Sequence, residues 1–277
     1  MPNTYLEALQ AASARLEAQG KEGHAIQSVF LTRKGWDKTK WVLSMHEQIS
    51  ATEETQIAAD VEQLLADMPP QYLTGVEEFY GRVFRVNEHT LIPRPETEEL
   101  VDLCLKKIHL PVAKVVDIGT GTGAIALTLK AEKPVWQVSA IDISKEALVV
   151  AKQNAEALDV DVTFYEGDTL EPVSDKKWDI IISNPPYISQ DEWNVMDPSV
   201  QKFEPKSALF AEKNGLAMYE KIAKQAKTCL APNGYILLEI GYRQGTAVQK
   251  IFQQAFPNRQ VSYHRDLFGN ERMVVVH

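Results

Sequence analysis

Between Thr4 and Gln19, Leu6, Leu9, Ala12 and Leu16 recur at helical spacing, and Gly20 and Gly23 then interrupt the pattern. A second helical stretch is expected from His24 to Arg33, closed by Gly35, and a third over about Lys38 to Met45. Thr52-Glu53-Glu54-Thr55 reads as a capped start for a fourth, whose apolar face is Ile57, Val61, Leu64 and Leu65. Met68-Pro69-Pro70 stops it. Residues 1–72 are therefore expected to form a small helical bundle. Glu78 to Val86 reads instead as two short strands around a Gly81-Arg82 turn, a β-hairpin placed in a linker over 73–92.

From about residue 95 apolar strands alternate with helices. Pro95-Glu96-Thr97-Glu98-Glu99 is a helix start, with proline first and acids in the first turn. Strands are expected near 114–118, 138–142, 162–165, 178–183, 234–240, 260–264 and 272–276. Helices are expected over 124–130, 145–158, 216–230 and 246–256. The implied architecture is α/β, a seven-stranded, mostly parallel, Rossmann-like sheet covered on both faces over 93–277.

Composition narrows the function without choosing it. The 277 residues are 44% apolar and 24% charged, ordinary for a globular chain, with a net charge of -9. That acidity argues against broad binding to a phosphate backbone, so no direct nucleic-acid partner is expected. Cys104 and Cys229 form no Cys-x-x-Cys pair and sit in apolar surroundings, and the six histidines lack ligand spacing, so no metal is expected. The first residues lack a basic region leading into an apolar run, and no stretch reaches the ~20 apolar residues of a membrane span, so a cytoplasmic location without membrane contact is expected. The chain is expected to be a monomer.

Asp117-Ile118-Gly119-Thr120-Gly121-Thr122-Gly123 follows the first strand of the sheet and opens a helix. Glycine lets the backbone turn sharply and a ligand lie against it. The spacing also fits the dinucleotide pattern, with Asp142 ending the next strand as a ribose-binding acid would in either case. Asp117 suits a ligand carrying an ammonium group better than a pyrophosphate. Gly167-Asp168 ends the third strand, where an acid can accept a hydrogen bond from an adenine amino group. The Asp, Gly-x-Gly-x-Gly, Asp, Asp series resembles the cofactor half of S-adenosylmethionine-dependent methyltransferases.

Asn184-Pro185-Pro186-Tyr187 comes directly after the fourth strand, at the carboxyl end where open α/β sheets bind ligands. Two prolines stiffen the turn and remove two donors. The Asn184 side-chain oxygen, the Pro185 carbonyl and the Tyr187 ring suit a planar NH2 group. Two acceptors hold its hydrogens, and the ring packs on its face. Such acceptors place the nitrogen in line for transfer and stabilise positive charge developing on it.

Asp117 to Ala126 and Asn184 to Ile188 together resemble the release factor glutamine methyltransferases. Three further stretches carry the same resemblance: Gln71 to Gly75 with Glu78 to Gly81, Leu91 to Glu98, and Arg265 to Arg272. Phe203-Glu204-Pro205 departs from the family, whose members often have tyrosine first. The resemblance implies methyl transfer from S-adenosylmethionine to the amide nitrogen (N5) of the glutamine in the Gly-Gly-Gln motif of peptide chain release factors. Orientation, rather than a strong base, would drive the step, since the motif holds no His or Lys.

On this reading Gly119, Thr120, Gly121, Thr122 and Gly123 cradle the methionine part of the cofactor. Asp142 takes the ribose hydroxyls, Ile143 packs on the adenine, and Asp168 and Thr169 border it; Asn184 lies at the junction of cofactor and substrate. Asn184, Pro185, Pro186 and Tyr187 hold the substrate, and Asn184, Pro185 and Tyr187 are the catalytic set. Pro93 to Thr97 flank the same pocket by resemblance, and residues 1–72 are expected to recognise the protein substrate. An amino methyltransferase acting on adenine N6 or guanine N2 uses the same motif geometry and stays open as an alternative, as does an NAD-dependent oxidoreductase.

Overall fold

The computed structural model describes residues 4–277; the first three residues of the expected bundle lie outside it. By its internal contacts the chain forms two units, Met1–Val76 with Asp197–Phe203, and Glu77–Met196 with Glu204–His277.

The first unit contains α1 (Tyr5–Glu17), α2 (His24–Lys34), α3 (Lys38–Ser44), α4 (Ala51–Leu65) and the short α5 (Pro70–Thr74). Leu9, Leu16, Ile26, Val61 and Leu64 lie in its core, and Arg33 meets the buried carboxylate of Asp60 at 2.9 and 3.1 Å. Helix α4 starts before the expected Thr52. Ser50 is its cap, and Glu53 closes a capping box with it. Pro70 does not end a helix but opens one, since proline fits a first turn whose N–H groups have no acceptor.

A hairpin follows, β1 (Val76–Phe79) and β2 (Arg82–Arg85), all but Val76 in the second unit. Its turn is Tyr80-Gly81, both at positive φ, the geometry a two-residue hairpin requires. Phe79 and Phe84 bury their rings edge to face at 5.9 Å. The seven-stranded sheet then comprises β3 (Lys114–Ile118), β4 (Gln137–Asp142), β5 (Thr163–Glu166), β6 (Trp178–Ser183), β7 (Leu230–Glu239), β8 (Val261–Arg265) and β9 (Glu271–Val276). Helices α6 (Pro95–Lys107), α7 (Ala124–Glu132), α8 (Lys145–Leu158), α12 (Ala217–Cys229) and α13 (Gly245–Ala255) flank it, with one-turn helices α9 (Pro198–Phe203), α10 (Lys206–Leu209) and α11 (Glu212–Gly215) in the segment after β6. Of these three short helices α9 belongs to the first unit, and periodicity gives no hint of any of them.

Strand order is β5-β4-β3-β6-β7-β9-β8, parallel except that β9 runs antiparallel to both β7 and β8. The chain leaves β3 towards β4 and β5, then crosses back to place β6 on the other side of β3. That reversal is a topological switch point, where the loops after β3 and β6 diverge and leave a crevice. Side chains from alternate positions fill the two faces, Val115, Leu127 and Ile182 on one and Val116, Ile181, Tyr219 and Leu238 on the other.

Candidate active site

The crevice lies between two loops that leave paired positions of the sheet. Ile118 and Ser183 are register partners, and each is the last residue of its strand. The glycine loop follows the first, Asn184 the second.

The glycine loop is held by its own amides. The N–H groups of Gly119 and Thr120 donate to the Ile141 carbonyl at 2.8 and 2.9 Å, Gly121 donates to Asp142 Oδ2 at 2.8 Å, and Gly123 donates to the Thr120 carbonyl at 2.8 Å. Gly119, Gly121 and Gly123 all have positive φ. A Cβ at Gly119 or Gly121 would meet no protein atom within 4 Å, so the loop presents bare backbone to the crevice. A phosphate-binding loop needs its N–H groups free for the anion. With these four committed internally, the loop suits the uncharged flank of a ligand rather than a pyrophosphate, which removes the main support for the dinucleotide reading.

Asp117 is wholly buried behind the loop. Its Oδ2 accepts from the Thr120 hydroxyl at 2.6 Å, while its Oδ1 has no hydrogen-bond partner among the described residues. Burial pushes the carboxyl up to about 7, against the Thr120 hydroxyl and the nearby Ala126 amide, which pull it down. A buried acid with an unmatched oxygen fits a ligand bringing an ammonium group, as the amino-acid end of S-adenosylmethionine does.

Asp142 ends β4 and is almost fully buried. Its two oxygens accept from Gly121 N–H and from Ser144 N–H at 2.9 Å, so it braces the glycine loop as well as bordering the crevice. Burial raises its pKa, with those backbone donors opposing. Ile143 next to it is 64% exposed, an apolar side chain left open to a flat ligand. The Gly167 N–H donates to the Asp142 carbonyl at 3.0 Å, which brings the loop after β5 beside that of β4. In that loop Asp168 pairs with Lys221, so an adenine amino group would share its carboxylate with an ammonium. Thr169 is buried at positive φ with its hydroxyl 2.6 Å from Gln225 Oε1, a side chain engaged by the protein.

On the other side of the crevice, Asn184 Nδ2 donates to the Thr97 hydroxyl at 3.0 Å, and that hydroxyl donates to Glu239 Oε2 at 2.6 Å. Tyr187 OH donates to Glu239 Oε1 at 3.4 Å, and Tyr219 OH to the Glu239 carbonyl at 3.0 Å. Gln244 Nε2 donates to the Tyr187 carbonyl at 3.0 Å and fixes the loop from below. Burial and the Glu239 carboxylate push the Tyr187 hydroxyl well above its usual range, so it stays neutral. Arg94 pairs with the buried Glu204, whose other oxygen accepts from Ile92 N–H at 3.3 Å. This gives the Leu91-to-Glu98 stretch its structural basis. Sequence reasoning missed Glu239, Tyr219, Gln244 and Glu204. The signal for Glu239 was a lone carboxylate in the run Tyr235-Ile236-Leu237-Leu238-Glu239-Ile240.

Beyond the motif, Ile188 pairs with the Leu209-to-Ala211 segment through hydrogen bonds of 2.9 and 3.0 Å. A recess of about 470 Å³ opens there, lined by Gln190, Trp193, Lys206, Ser207 and Phe210, with Lys206 Nζ 4.8 Å over the Trp193 ring. Among the described residues no cluster of three or more His, Cys, Asp or Glu could hold a metal, and no helix is long and apolar enough to cross a membrane.

Comparison with known proteins identifies the family. Residues 7–75 match the family described as the PrmC N-terminal domain, and residues 98–215 match the methyltransferase small domain. The chain is 55% identical to a release factor glutamine methyltransferase of Enterococcus faecalis over 99% of both chains, and 41% identical to that of Bacillus subtilis over 98% of this chain and 96% of the other. Among solved structures, a methyltransferase from Pyrococcus furiosus superposes with a TM-score of 0.52 at 18% identity, covering 82% of this chain and 98% of that one, which shows the shared fold. This chain belongs to the release factor glutamine methyltransferase family, enzymes that depend on S-adenosylmethionine.

Proposed function

We propose that this protein methylates the side-chain amide nitrogen (N5) of the glutamine in the Gly-Gly-Gln motif of peptide chain release factors, giving N5-methylglutamine and S-adenosylhomocysteine. The observation that carries the reading is the orientation of Asn184 at the switch point. Its amide NH2 is tied back to Thr97, which leaves its oxygen free to accept from a ligand, on the residue that follows the register partner of Ile118. With the Pro185 carbonyl it offers two acceptors to the two hydrogens of a planar amide.

Bound S-adenosylmethionine supplies the electrophilic methyl group. Its contacts are assigned to Gly119, Thr120, Gly121, Thr122 and Gly123, to Asp117 for the ammonium, to Asp142 for the ribose and to Ile143 for the adenine, with Asp168 and Thr169 at the adenine edge. An amide nitrogen is a weak nucleophile because its lone pair is delocalised. Asn184 and Pro185 hold that nitrogen and, as it gains positive charge, stabilise it through the same hydrogen bonds. Tyr187 packs on the amide plane. No basic side chain of the motif removes the proton, which leaves to solvent.

The helical unit recognises the release factor, and the Trp193 and Phe210 recess takes residues flanking the glutamine. The protein acts in the cytoplasm, where release factors work. Mass spectrometry of a purified release factor incubated with the protein and S-adenosylmethionine should show one added methyl on the Gly-Gly-Gln glutamine, lost with Asn184→Ala. Methylation of an RNA or DNA amino group instead would replace this substrate.

A further inference from the structure

Glu239 closes β7 directly after the apolar run Tyr235 to Leu238 and is 1% exposed. A buried carboxylate is unfavourable unless its oxygens are matched. Among the described residues no Lys or Arg forms an ion pair with it. Arg272 is close enough to act through space but is itself bound to Asp266 at 3.2 Å. The side-chain donors that do reach the carboxylate, Thr97 and Tyr187, belong to the reaction site.

The direction of these bonds matters. A threonine hydroxyl has one proton, and an ionised carboxylate has none. The 2.6 Å contact therefore commits the Thr97 proton to Glu239, at a distance usual for a bond to a charged acceptor. Thr97 can then meet Asn184 only as an acceptor, so the Nδ2 end of the amide must face it. Asn184 Oδ1 is left free to accept from a substrate.

We propose that Glu239 is a positioning residue for methyl transfer, acting through the Thr97 hydroxyl to keep the oxygen of the Asn184 amide facing the reacting nitrogen. The proposal rests on the role given to Asn184 above. Glu239 never touches the substrate in this scheme. It sets the polarity of a two-bond relay whose far end does.

The charge state of Glu239 is part of the device. It is faced by Arg272 from β9, Glu96 from α6, Tyr187 from the motif loop and Tyr219 from α12. Burial is the largest influence and, with Glu96, pushes the carboxyl up; Thr97, Arg272 and Tyr187 pull it down, leaving it at about 7. A protonated Glu239 can donate to Thr97. That frees the Thr97 proton for Asn184 Oδ1 and lets the amide turn round.

The test is steady-state methylation of a release factor at saturating S-adenosylmethionine by the unmodified protein and by Thr97→Val, Thr97→Ser and Glu239→Gln. Thr97→Val should lower kcat by about tenfold to a hundredfold with little change in KM for the cofactor, and Thr97→Ser should recover most of the loss. The acid limb of kcat, falling below about pH 7, should vanish in Glu239→Gln. A Thr97→Val protein within twofold of the unmodified kcat, a serine variant as slow as valine, or an acid limb that persists in Glu239→Gln overturns the proposal. NMR of the Asn184 side-chain amide needs no substrate. Its slow-exchanging NH2 signal should be lost in Thr97→Val, and its persistence would overturn the relay even if the substrate assignment failed.

Discussion

Ser183 lies opposite Ile118 in the sheet and donates its hydroxyl to the Ile118 carbonyl at 2.7 Å, fully buried. This bond ties the last residue before the Asn-Pro-Pro-Tyr motif to the last residue before the glycine loop. The two loops assigned to substrate and cofactor therefore share one rigid base. Methyl transfer needs sulfur, carbon and nitrogen in line, and an offset near 1 Å can lower the rate about a hundredfold. Ser183→Ala should keep the fold, because the strands remain paired, yet lower kcat more than it raises either KM. Equal effects on kcat and both KM values would show that the bond serves stability alone.

Asp117 has a sign that can be worked out. Its folded-state pKa is about 7, above its ordinary 3.8. Below about pH 4 the folded and unfolded chains both hold the proton, and the group has no effect on stability. Between about pH 4 and 7 the unfolded chain ionises first, so stability is lost as pH rises, up to about 4 kcal/mol by pH 8. Asp117→Asn should therefore raise the melting temperature of the ligand-free protein at pH 8 while weakening S-adenosylmethionine binding. Cofactor affinity of the unmodified protein should increase from pH 6 to pH 8 as the carboxylate forms. Calorimetry showing pH-independent affinity would remove Asp117 from the ammonium site.

Asp142→Ala should weaken cofactor binding by roughly 1–3 kcal/mol, the range for a lost charge-assisted hydrogen bond. Because Asp142 also accepts from Gly121 N–H, part of that loss would come from a looser glycine loop. Asp142→Asn separates the two effects, since its amide oxygen can still accept from Gly121. Titration calorimetry giving unchanged affinity for both variants would exclude Asp142 from the site.

Much of this was legible in the chain. The strands of the sheet read from apolar runs, and the glycine loop and Asn-Pro-Pro-Tyr read from spacing, because each is a local pattern. The segment from 189 to 215 did not, because its short helices α9, α10 and α11 lack the length for a periodic stripe to show. Nor did the Ser50 cap, where Thr52 offered the same local signal two residues on. The partners of Asn184 were hidden for another reason. Thr97 and Glu239 are 142 residues apart in the chain and meet only through the packing of α6 on β7. Asp168 shows the converse. Its place after β5 follows from the pattern, but its pairing with Lys221 of α12 is a long-range contact that no local signal carries.

Gly215 gives the last prediction. It sits at φ +80°, a conformation side chains rarely adopt, and a Cβ there would lie 2.0 Å from the Tyr187 carbonyl oxygen and 2.6 Å from Gln244 Nε2. Neither neighbour can move freely, because Gln244 Nε2 itself donates to that carbonyl. In Gly215→Ala the backbone of Tyr187 must shift, and the methyl breaks the Gln244 bond that holds the motif loop. Stability should fall by about 1–3 kcal/mol, from overpacking and strain together. Turnover should fall further than stability predicts, because the displaced carbonyl belongs to Tyr187, the residue proposed to pack on the substrate amide. S-adenosylmethionine affinity should stay near that of the unmodified protein, since the glycine loop is built on the other side of the crevice. A thermal melt, cofactor calorimetry and single-turnover methylation of a release factor would separate these three effects. A variant with full turnover at a temperature where it is folded would show that the Tyr187 backbone can move without cost to the reaction.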